Sequence, residues 1–411
     1  MIDLLKLREH TKAVIDALKK KDPSFDGQLL AELDKQQRVL LVQVETLRAQ
    51  KNQLAAQAKS GITPEIREQS KEIGATLKSK TEELEQISKD FKELYLRCPN
   101  VPEDDIPVGG KEANKVVKTV GEKPAFDFDP KNHVDLGLAL GWFDFEAAAK
   151  MTGSQFVFYK DEGVKLIYAL MMFMMQNNMK HGFTPMLPPY LVNEKSLEVA
   201  GNFPKFKDEV YSVPEEGLYL IPTSEVSLTN LYRDTTFMTS ELPKRMTSCT
   251  SCFRREAGGY GAQERGLIRI HQFEKAELYT VCEPSKANDE FDRMLACAED
   301  ILQQLGLHYQ VSLLASQDMS FQSAKTFDIE VWMPGQQKYY EVSSGSNCTD
   351  FQARRGGMRF KAHQNDKTQF VNTLNASSLA LPRLMVALIE TYQQADGTIK
   401  LPDVLKGFGL L

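Results

Sequence analysis

Residues 252–277 read CFRREAGGYGAQERGLIRIHQFEKAE, and this stretch decides the fold class. Two segments with apolar flanks are joined by a loop that contains Gly258, Gly259 and Gly261, which is typical of a β-hairpin. Short apolar and β-branched runs recur through residues 208–360, without the even alternation of strand and helix seen in doubly wound folds. We therefore predict an α+β fold in which helices flank an antiparallel sheet.

The two arms of this hairpin carry residue types that suit a nucleotide. Arg254 offers a planar guanidinium that can hold phosphate through two hydrogen bonds. Phe273, on the second arm, offers a flat face on which a base can stack. The chain has neither a G-x-x-x-x-G-K-[ST] phosphate loop nor a G-x-G-x-x-G after a strand, so a nucleotide would be held differently. A structural network of salt bridges among residues 254–277 is the alternative.

Two stretches within the first hundred residues have apolar residues at the a and d positions of a heptad. Leu33, Leu40, Leu47 and Leu54 occupy every seventh position of the first stretch. This period predicts left-handed coiled-coil packing. The other seam positions are Leu30, Val44 and Ala58 in the first stretch, and Ile66, Ile73, Leu77, Leu84, Ile87, Phe91 and Leu94 in the second.

A short linker, residues 60–64 (SGITP), separates the two stretches. Gly61 can end the first helix, and Thr63 can cap the second, which then has Pro64 at its first position. Helices joined by so short a linker fold back antiparallel, and about 30 residues each give an arm roughly 45 Å long. We predict this coiled-coil arm at about 29–97.

The arm belongs to a predicted N-terminal domain of residues 1–107, and residues 108–411 form the second predicted domain. Proline and glycine are frequent between residues 99 and 130, as in a linker. Periodicity alone leaves the function of the arm open, because coiled coils often serve only for dimerisation. Its charges are mixed in sign, as on most solvated helix faces, and do not decide the question.

The composition is that of a globular protein. The 411 residues are 42% hydrophobic and 26% charged. The net charge of −6 does not indicate nucleic-acid binding, so any RNA contact needs local basic patches. The six cysteines suit a reducing compartment rather than a disulfide framework. The N-terminus lacks the layout of a signal peptide, and the longest apolar run, residues 166–175, is shorter than the ~20 residues of a membrane helix, so we expect a cytoplasmic protein.

Several segments resemble the class II aminoacyl-tRNA synthetases, and among them the seryl-tRNA synthetases. Residues 253–258 (FRREAG) and 271–275 (HQFEK) resemble motif 2 of that family. The order and the spacing of the segments match, and an antiparallel N-terminal arm belongs to the family too. The other matching segments are 222–225 for the serine-binding loop, 341–355 for the metal and ATP strand, about 372–394 for motif 3, and about 164–189 for motif 1, while motif 2 as a whole spans about 247–279.

The resemblance implies a pocket that recognises serine by its hydroxyl group. Sites that hydrogen-bond a substrate hydroxyl reject analogues without it far better than apolar pockets discriminate size. Glu277 and Ser377 would contact the hydroxyl or its surroundings, and Glu225 would face the α-ammonium group. The implied serine-binding residues are Thr223, Ser224, Glu225, Arg254, Glu277 and Ser377.

The resemblance also implies the ATP site. Arg254 would hold the α-phosphate and the serine carboxylate, and Arg383 the γ-phosphate of a bent ATP, which makes these two the implied catalytic residues. Glu341 and Ser344 would carry Mg²⁺, a hard cation that favours oxygen ligands. Phe273 would stack on adenine, Glu256 would read its edge, and Ile270 would contact it through the main chain. The implied ATP-binding residues are Arg254, Arg255, Glu256, Ile270, Phe273, Glu341, Val342, Ser343, Ser344 and Arg383.

The implied reaction is the ATP-dependent activation of L-serine to seryl-adenylate, followed by transfer to the 3′ end of tRNA(Ser), and of tRNA(Sec) where it exists. Positioning and charge neutralisation can supply much of this catalysis. The resemblance further implies a homodimer without a membrane or DNA partner. The chain stops soon after motif 3, without the basic C-terminal extension of eukaryotic cytosolic relatives, which favours the bacterial type.

Two other functions compete with this interpretation. A relative that loads an amino acid onto a carrier protein would share the catalytic core, but we would not expect it to keep a long arm at 29–97. A non-catalytic protein on the same scaffold would have lost ATP residues, whereas Arg254, Glu256, Glu341 and Arg383 are all present.

Two further features have structural explanations that we prefer, and a third concerns the serine pocket. Cys249 and Cys252 lack a second pair at zinc-like spacing, so we do not expect a metal site there. His271 lies among apolar residues and is more simply a structural histidine. Ala376 and Ser378 replace glycines that are frequent in the family, which raises the question of whether the serine pocket is crowded.

Overall fold

The computed structural model describes residues 1–59, 61–257 and 266–411. Ser60 of the predicted linker and the predicted hairpin glycines Gly258, Gly259 and Gly261 lie outside the described residues. Contacts between residues divide the chain into two compact units, Met1–Pro99 and Asn100–Leu411. The domain boundary that the sequence predicts after residue 107 lies within the second unit and stays a prediction.

The first unit contains the predicted arm as a pair of long helices. These two helices are α3 (Gly27–Ala58), with 32 residues, and α4 (Pro64–Leu96), with 33 residues. Gln37 Nε2, near the start of the first of them, donates a hydrogen bond of 3.0 Å to Ser88 Oγ, near the end of the other. The two helices are therefore antiparallel, as predicted. The helices of this unit are α1 (Leu4–Glu9), α2 (Thr11–Lys21), α3 (Gly27–Ala58) and α4 (Pro64–Leu96).

The start of α4 carries the predicted cap, and the heptad positions are the ones that the pairing of α3 with α4 removes from solvent. Thr63 Oγ1 accepts a hydrogen bond of 3.2 Å from the backbone N–H of Ile66, and Pro64 is the first residue of α4. The Thr63 cap, Pro64 at the first position of α4 and the seam are thus confirmed for the coiled-coil arm. Leu30, Leu33, Leu40, Val44 and Phe91 are buried, and Leu47, Leu54, Ala58, Ile66, Ile73, Leu77, Leu84, Ile87 and Leu94 are half-buried.

The second unit combines helices with four sheets in its described part. Its helices are α5 (His133–Ala139), α6 (Phe145–Thr152), α7 (Asp161–Lys180), α8 (Glu194–Ala200), α9 (Glu225–Leu231), α10 (Ala287–Gln304), α11 (Phe351–Gly356) and α12 (Leu381–Thr391). Its strands are β1 (Lys115–Val120), β2 (Phe143–Asp144), β3 (Phe158–Tyr159), β4 (Thr184–Pro185), β5 (Leu191–Asn193), β6 (Ser212–Val213), β7 (Leu218–Leu220), β8 (Thr236–Met238), β9 (Lys244–Phe253), β10 (Gln272–Cys282), β11 (Tyr309–Leu313), β12 (Lys325–Met333), β13 (Lys338–Asn347), β14 (Arg359–Lys361), β15 (Gln369–Phe370) and β16 (Asn372–Ala380).

An eight-stranded sheet forms the centre of this unit, in the order β1-β11-β12-β13-β16-β10-β9-β4. All neighbours in it are antiparallel except β4, which runs parallel to β9. The predicted hairpin is the β9–β10 pair, in which Phe273 lies opposite Cys252. The α+β fold with an antiparallel sheet flanked by helices is therefore confirmed.

Helices α7, α10 and α12 pack on one face of this sheet. Leu170, Ile301 and Leu388, one from each helix, belong to the same buried cluster as Ala276 of β10. Because side chains alternate along a strand, Lys275 and Glu277 face the other side of the sheet. Each fully buried aliphatic side chain contributes about 1.5–3 kcal/mol, so this packing fixes which face remains available for polar residues.

The last helix begins two residues later than the sequence suggests. We expect it at about 379–394, whereas β16 continues to Ala380 and α12 starts at Leu381. Pro382 stands at the helix start, where its fixed φ suits the first turn and its missing N–H costs nothing. Among the described residues, no helix combines the length and the hydropathy needed to cross a membrane.

Candidate active site

A β-bulge places Glu341 and Ser344 on the same face of β13. The register between β12 and β13 shifts between Ile329 and Glu330, so that Glu330 pairs with Glu341. Val342 is the extra residue, and its side chain is buried in the core. In a regular strand, residues three positions apart would point to opposite faces. The bulge therefore brings the two predicted metal ligands together.

Arg383 lies beside Glu341, in the first turn of α12. Its Nε donates a hydrogen bond of 3.2 Å to the carbonyl oxygen of Ile268. Its Nη1 donates to the carbonyl oxygen of Glu341 at 2.8 Å and lies 3.6 Å from the Glu341 carboxylate. These contacts fix the guanidinium next to the predicted metal ligand.

Arg254 follows directly after the end of β9. Its Nε donates to the carbonyl oxygen of Pro222 at 3.2 Å, and its guanidinium carbon lies 5.2 Å from the centre of the Phe273 ring. The backbone N–H of Arg254 donates to the carbonyl of His271, and the Nδ1 of His271 donates back to the carbonyl of Arg254, both at 2.9 Å. His271 thus holds the main chain at Arg254, which agrees with a structural role.

A cavity lies between these two arginines. Its lining includes the apolar side chains of Ile268 and Ile270 and the cationic side chains of Arg254, Lys275 and Arg383. A lining that combines apolar and cationic side chains suits a flat base with attached phosphates. The residues predicted from sequence that line this cavity are Arg254, Glu256, Ile270, Phe273, Glu341, Ser377 and Arg383.

Glu256 is held at this cavity by an ion pair. Its carboxylate lies 2.6 Å from the guanidinium of Arg269. Its φ is +49°, a left-handed conformation that is uncommon for residues other than glycine. Strained backbone of this kind is often retained at functional sites.

Ser344 lines a neighbouring cavity, which shares Glu341 and Arg383 with the first one. Three other predicted ATP-binding residues present side chains to neither cavity. Arg255 is exposed, and its backbone N–H donates to the carbonyl of Glu209 at 2.9 Å. Val342 is buried in the core, and Ser343 Oγ donates to the carbonyl of Ser377 at 2.5 Å. A role in ATP binding for these three stays a prediction.

A second cluster of polar groups adjoins the cavity. Glu277 of β10 lies opposite Ser377 of β16, so both side chains share one face. Thr223 Oγ1 donates a hydrogen bond of 2.7 Å to the Glu277 carboxylate. The ammonium group of Lys275 forms an ion pair with the same carboxylate. Glu277 is 1% exposed, so these partners stabilise a buried charge.

Glu225 completes this cluster at the start of α9. Its carboxylate accepts hydrogen bonds from Gln352 Nε2 at 2.7 Å and from Asn375 Nδ2 at 3.2 Å. Burial raises the pKa of Glu225 to about 7, and the nearby charge of Glu277 adds to the shift. The hydroxyl of the adjacent Ser224 is buried without a hydrogen-bond partner in the described structure. A ligand that brings a cation and a polar group would satisfy both residues.

The comparisons with known proteins agree with this geometry. A family model described as the seryl-tRNA synthetase N-terminal domain matches residues 1–102, and one described as the tRNA synthetase class II core domain (G, H, P, S and T) matches residues 206–392. A serine--tRNA ligase of Syntrophobacter fumaroxidans is 44% identical over 99% of this chain and 98% of its own length. The chain belongs to the seryl-tRNA synthetase family.

Solved structures of seryl-tRNA synthetases have the same fold. The enzyme of Pyrococcus horikoshii complexed with ATP is 32% identical, with a TM-score of 0.93 over 100% of this chain and 98% of that one. The cytoplasmic enzyme of Naegleria fowleri in complex with AMP is 27% identical, with a TM-score of 0.85 over 99% of this chain and 96% of that one. This synthetase is therefore a class II aminoacyl-tRNA synthetase.

Sequence reasoning missed Asp328, which lies opposite Ser344 on the neighbouring strand β12. The Oδ1 of Asp328 is buried without a hydrogen-bond partner in the described structure. Burial and the nearby Glu341 carboxylate raise the pKa of Asp328 well above its usual range. A signal existed, because Asp328 and Glu330 alternate with apolar residues along β12 and so had to share the polar face of the sheet.

The two cysteines of the Cys249-x-x-Cys252 pair do not form a ligand pair. Both lie in the continuous strand β9, where residues three positions apart point to opposite faces. Burial raises the pKa of the Cys249 thiol to about 12, which makes it a poor nucleophile. Residues 1–59, 61–257 and 266–411 contain no group of three or more His, Cys, Asp or Glu side chains that could hold a metal ion.

The departures in motif 3 do not crowd the predicted serine pocket. Ser378 Oγ donates a hydrogen bond of 2.6 Å to Asn178 of α7, on the helix-covered face of the sheet. Ala376 packs in a cluster with Leu278 and Phe291 on that same face. Ser377 lies between them and faces the opposite side, so the extra atoms do not enter the pocket.

The buried Lys275–Glu277 pair gives a stability prediction. The substitution Lys275→Met leaves the Glu277 carboxylate buried without its cation, which typically costs about 3–5 kcal/mol, so Tm should fall by several degrees or more. The double variant Lys275→Met/Glu277→Gln should recover most of that loss. Lys406→Met, which breaks the exposed pair with Asp403, is the control and should change Tm little. Equal effects of Lys275→Met and Lys406→Met in thermal unfolding would contradict the assignment.

Proposed function

We propose that this synthetase activates L-serine with ATP to form seryl-adenylate and then transfers the seryl group to the 3′ end of tRNA(Ser). The observation that carries the proposal is the convergence of Arg254, Arg383 and Glu341 on one cavity, next to the Thr223–Glu277 cluster. The full-length relatives named serine--tRNA ligase support the same substrate. We extend the proposal to tRNA(Sec) where it exists. Charging assays with tRNA(Ser) and with tRNA(Sec) would show which of the two tRNAs the protein accepts.

Arg254 and Arg383 are the proposed catalytic residues. Arg254 would bind the α-phosphate and the serine carboxylate, bringing the attacking oxygen to the phosphorus, while Arg383 would bind the γ-phosphate. Both guanidiniums are fixed in advance by hydrogen bonds to backbone carbonyls. Such groups need no reorganisation as charge develops on the phosphates, so electrostatic stabilisation supplies most of the catalysis. Phe273 would stack on adenine, with Ile270 beneath it.

The serine pocket is proposed to consist of the buried cluster around Glu277. Glu277 and Ser377 would bind the serine hydroxyl, with Thr223 holding the Glu277 carboxylate in place. Glu225 would bind the α-ammonium group, and Ser224 has a buried hydroxyl that could join it. An amino acid without a hydroxyl would leave these buried groups unpaired, which is an effective means of rejection.

Mg²⁺ is proposed as the metal of the ATP site. Glu341 and Ser344 would hold it, because they offer the oxygen ligands that Mg²⁺ favours on one face of β13. The buried and unpartnered Oδ1 of Asp328, opposite Ser344, fits a cation at this place. When bound, Mg²⁺ neutralises part of the phosphate charge. Glu341→Gln should raise the Mg²⁺ concentration required for half-maximal activity, and an unchanged requirement would contradict the site.

Serine-dependent exchange of pyrophosphate into ATP is the experiment that tests the proposed activation step. The wild-type protein should catalyse the exchange with serine and not with alanine or threonine. Arg383→Ala should lower kcat/KM for ATP by roughly 10²–10³-fold, because it removes a preorganised charge from the transition state. Arg293→Ala, on the exposed side of α10, is the control and should behave as wild type. Exchange with another amino acid but not with serine would overturn the substrate.

The raised pKa of Glu225 predicts how serine binding depends on pH. The ammonium group of serine needs the ionised carboxylate, and the pKa of about 7 means that this form is lost as pH falls below 7. KM for serine should therefore rise about tenfold between pH 8 and pH 6. Glu225→Gln should bind serine weakly at both pH values, with a flat profile, whereas Glu215→Gln at an exposed position should keep the wild-type profile. If KM for serine of the wild-type protein does not change with pH, Glu225 does not bind the ammonium group.

The arm formed by α3 and α4 is proposed to bind tRNA. Replacing residues 30–96 with a short glycine-serine linker should lower tRNA affinity strongly and leave serine-dependent exchange nearly intact. Binding to the intact protein should weaken with salt, because phosphate contacts release counterions. If the variant without residues 30–96 still charges tRNA as the wild type does, the arm does not bind tRNA. If this variant loses serine-dependent exchange, the arm is required for the structure of the catalytic unit. Transfer of serine to a carrier protein instead of tRNA would favour the alternative function.

A homodimer is proposed on the basis of an exposed apolar surface. Met172 and Leu187, from α7 and the segment that follows it, are 57% and 82% exposed. Both residues belong to motif 1, which is the dimer-forming element of the resemblance, and burial in an interface would remove these apolar side chains from water. The variant Met172→Asp/Leu187→Asp should shift the sedimentation mass from dimer to monomer. Val117→Asp, at an exposed position of β1, should remain a dimer, and a wild-type monomer would contradict the proposal.

A reducing location such as the cytoplasm is also proposed. All six cysteines lie within the described residues as thiols. Thiols of this kind persist where glutathione keeps them reduced. Cell fractionation that finds the protein in an oxidising compartment would contradict this location.

A further inference from the structure

His133 and Glu390 form a buried pair outside the residues assigned to substrates. His133, at the start of α5, is 1% exposed, and Glu390, near the end of α12, is 0% exposed. The Glu390 carboxylate accepts hydrogen bonds of 2.9 Å from the backbone N–H and from the Nδ1 of His133. It also accepts from the backbone N–H of Gly335 at 2.9 Å and from Gln336 Nε2 at 3.1 Å. These four donors satisfy both oxygens of the carboxylate inside the core.

The other ring nitrogen of His133 binds the main chain that leads into β10. Its Nε2 accepts a hydrogen bond of 3.1 Å from the backbone N–H of Leu267. Because Nε2 accepts here, the proton of a neutral ring must be on Nδ1, where it is donated to Glu390. Glu390 therefore selects the tautomer of His133 that can hold Leu267.

The same stretch of main chain is held at a second point by the proposed catalytic arginine. Arg383 Nε donates to the carbonyl of Ile268, the residue that follows Leu267. Arg383 and Glu390 belong to the same helix, α12. The first turn of α12 thus holds Ile268 directly through Arg383. The last turn of the same helix holds the preceding residue, Leu267, through His133.

This stretch forms part of the proposed ATP site. Leu267, Ile268, Arg269 and Ile270 all line the cavity between Arg254 and Arg383. Gly266 precedes them with a φ of +71°, and a Cβ atom at this position would lie 2.2 Å from His133 Nε2. Only glycine allows the histidine to approach the main chain this closely. Main chain, helix and histidine are therefore fitted to one another at the edge of the cavity.

We propose that His133 and Glu390 are positioning residues for ATP, which hold residues 266–270 against α12 so that Ile270 and Arg383 are correctly placed before ATP binds. Neither residue touches the nucleotide. The pair acts through the hydrogen bond to Leu267, and its loss would lower the fraction of the protein that is ready to bind ATP. The inference rests on the proposed function, because it assigns ATP to the cavity.

The test compares two substitutions at His133 by direct titration of ATP in a calorimeter, without serine or tRNA. His133→Phe keeps the shape of the ring but removes both hydrogen bonds, and ATP Kd should rise about tenfold or more. His133→Gln places Oε1 where it can accept from Leu267, and it should recover most of the affinity. The control His308→Phe changes another buried histidine, remote in sequence from this stretch, and should leave ATP Kd unchanged.

A second readout separates positioning from general destabilisation. In serine-dependent exchange, His133→Phe should raise KM for ATP about tenfold while KM for serine stays within twofold. If KM for ATP and KM for serine rise together, or if ATP Kd is unchanged in a folded variant, the proposal is overturned. Should His133→Phe fail to fold, Glu390→Gln tests the same contact and must raise ATP Kd. A wild-type protein that binds ATP but shows no exchange with serine would contradict the proposed function and not this inference.

Discussion

The register of β10 against its two neighbours is the constraint on which the rest of this structure depends. Pairing with β9 places Arg254 at the loop end of the hairpin. Pairing with β16 sets Glu277 opposite Ser377. A slip of one residue in either ladder would turn these side chains toward the helices and bring apolar residues to the polar face. The core formed with α7, α10 and α12 prevents that slip, because Ala276 and Leu278 must stay buried. Fold stability and site geometry are therefore maintained by the same packing.

Charge is distributed over this polar face in two regions of opposite character. Toward the cavity, the cationic side chains of Arg254, Lys275 and Arg383 suit phosphates and a carboxylate. In the neighbouring cluster, the carboxylates of Glu225 and Glu277 suit an ammonium group and a hydroxyl. Lys275 belongs to both regions, since it lines the cavity and pairs with Glu277. An amino acid would be oriented between the two regions by its own opposite charges, with little covalent chemistry required from the protein.

The sequence predicts the parts of this molecule that follow a short period or a local signal. The heptads of α3 and α4, the Thr63 cap and the β9–β10 hairpin are of this kind, and the motif resemblance points to Arg254, Glu341 and Arg383. The sequence does not predict contacts that depend on the pairing of residues far apart in the chain. The bulge at Val342 becomes visible only once β12 is aligned with β13, and with it the place of Asp328 opposite Ser344. The pairing of His133 with Glu390 joins two residues more than 250 positions apart, and no local pattern marks it. The start of α12 depends on where the ladder of β16 ends, which local propensity does not define.

A crystal structure with α,β-methylene ATP, Mg²⁺ and L-serine would show whether Arg254, Arg383 and Glu277 bind the two substrates as proposed. We expect Arg254 within hydrogen-bond distance of both the α-phosphate and the serine carboxylate, Arg383 on the γ-phosphate, and the serine hydroxyl on Glu277. Residues 266–270 should keep their hydrogen bonds to His133 and Arg383 in this complex. A nucleotide bound at another site, or a serine whose hydroxyl points away from Glu277, would contradict the proposed function.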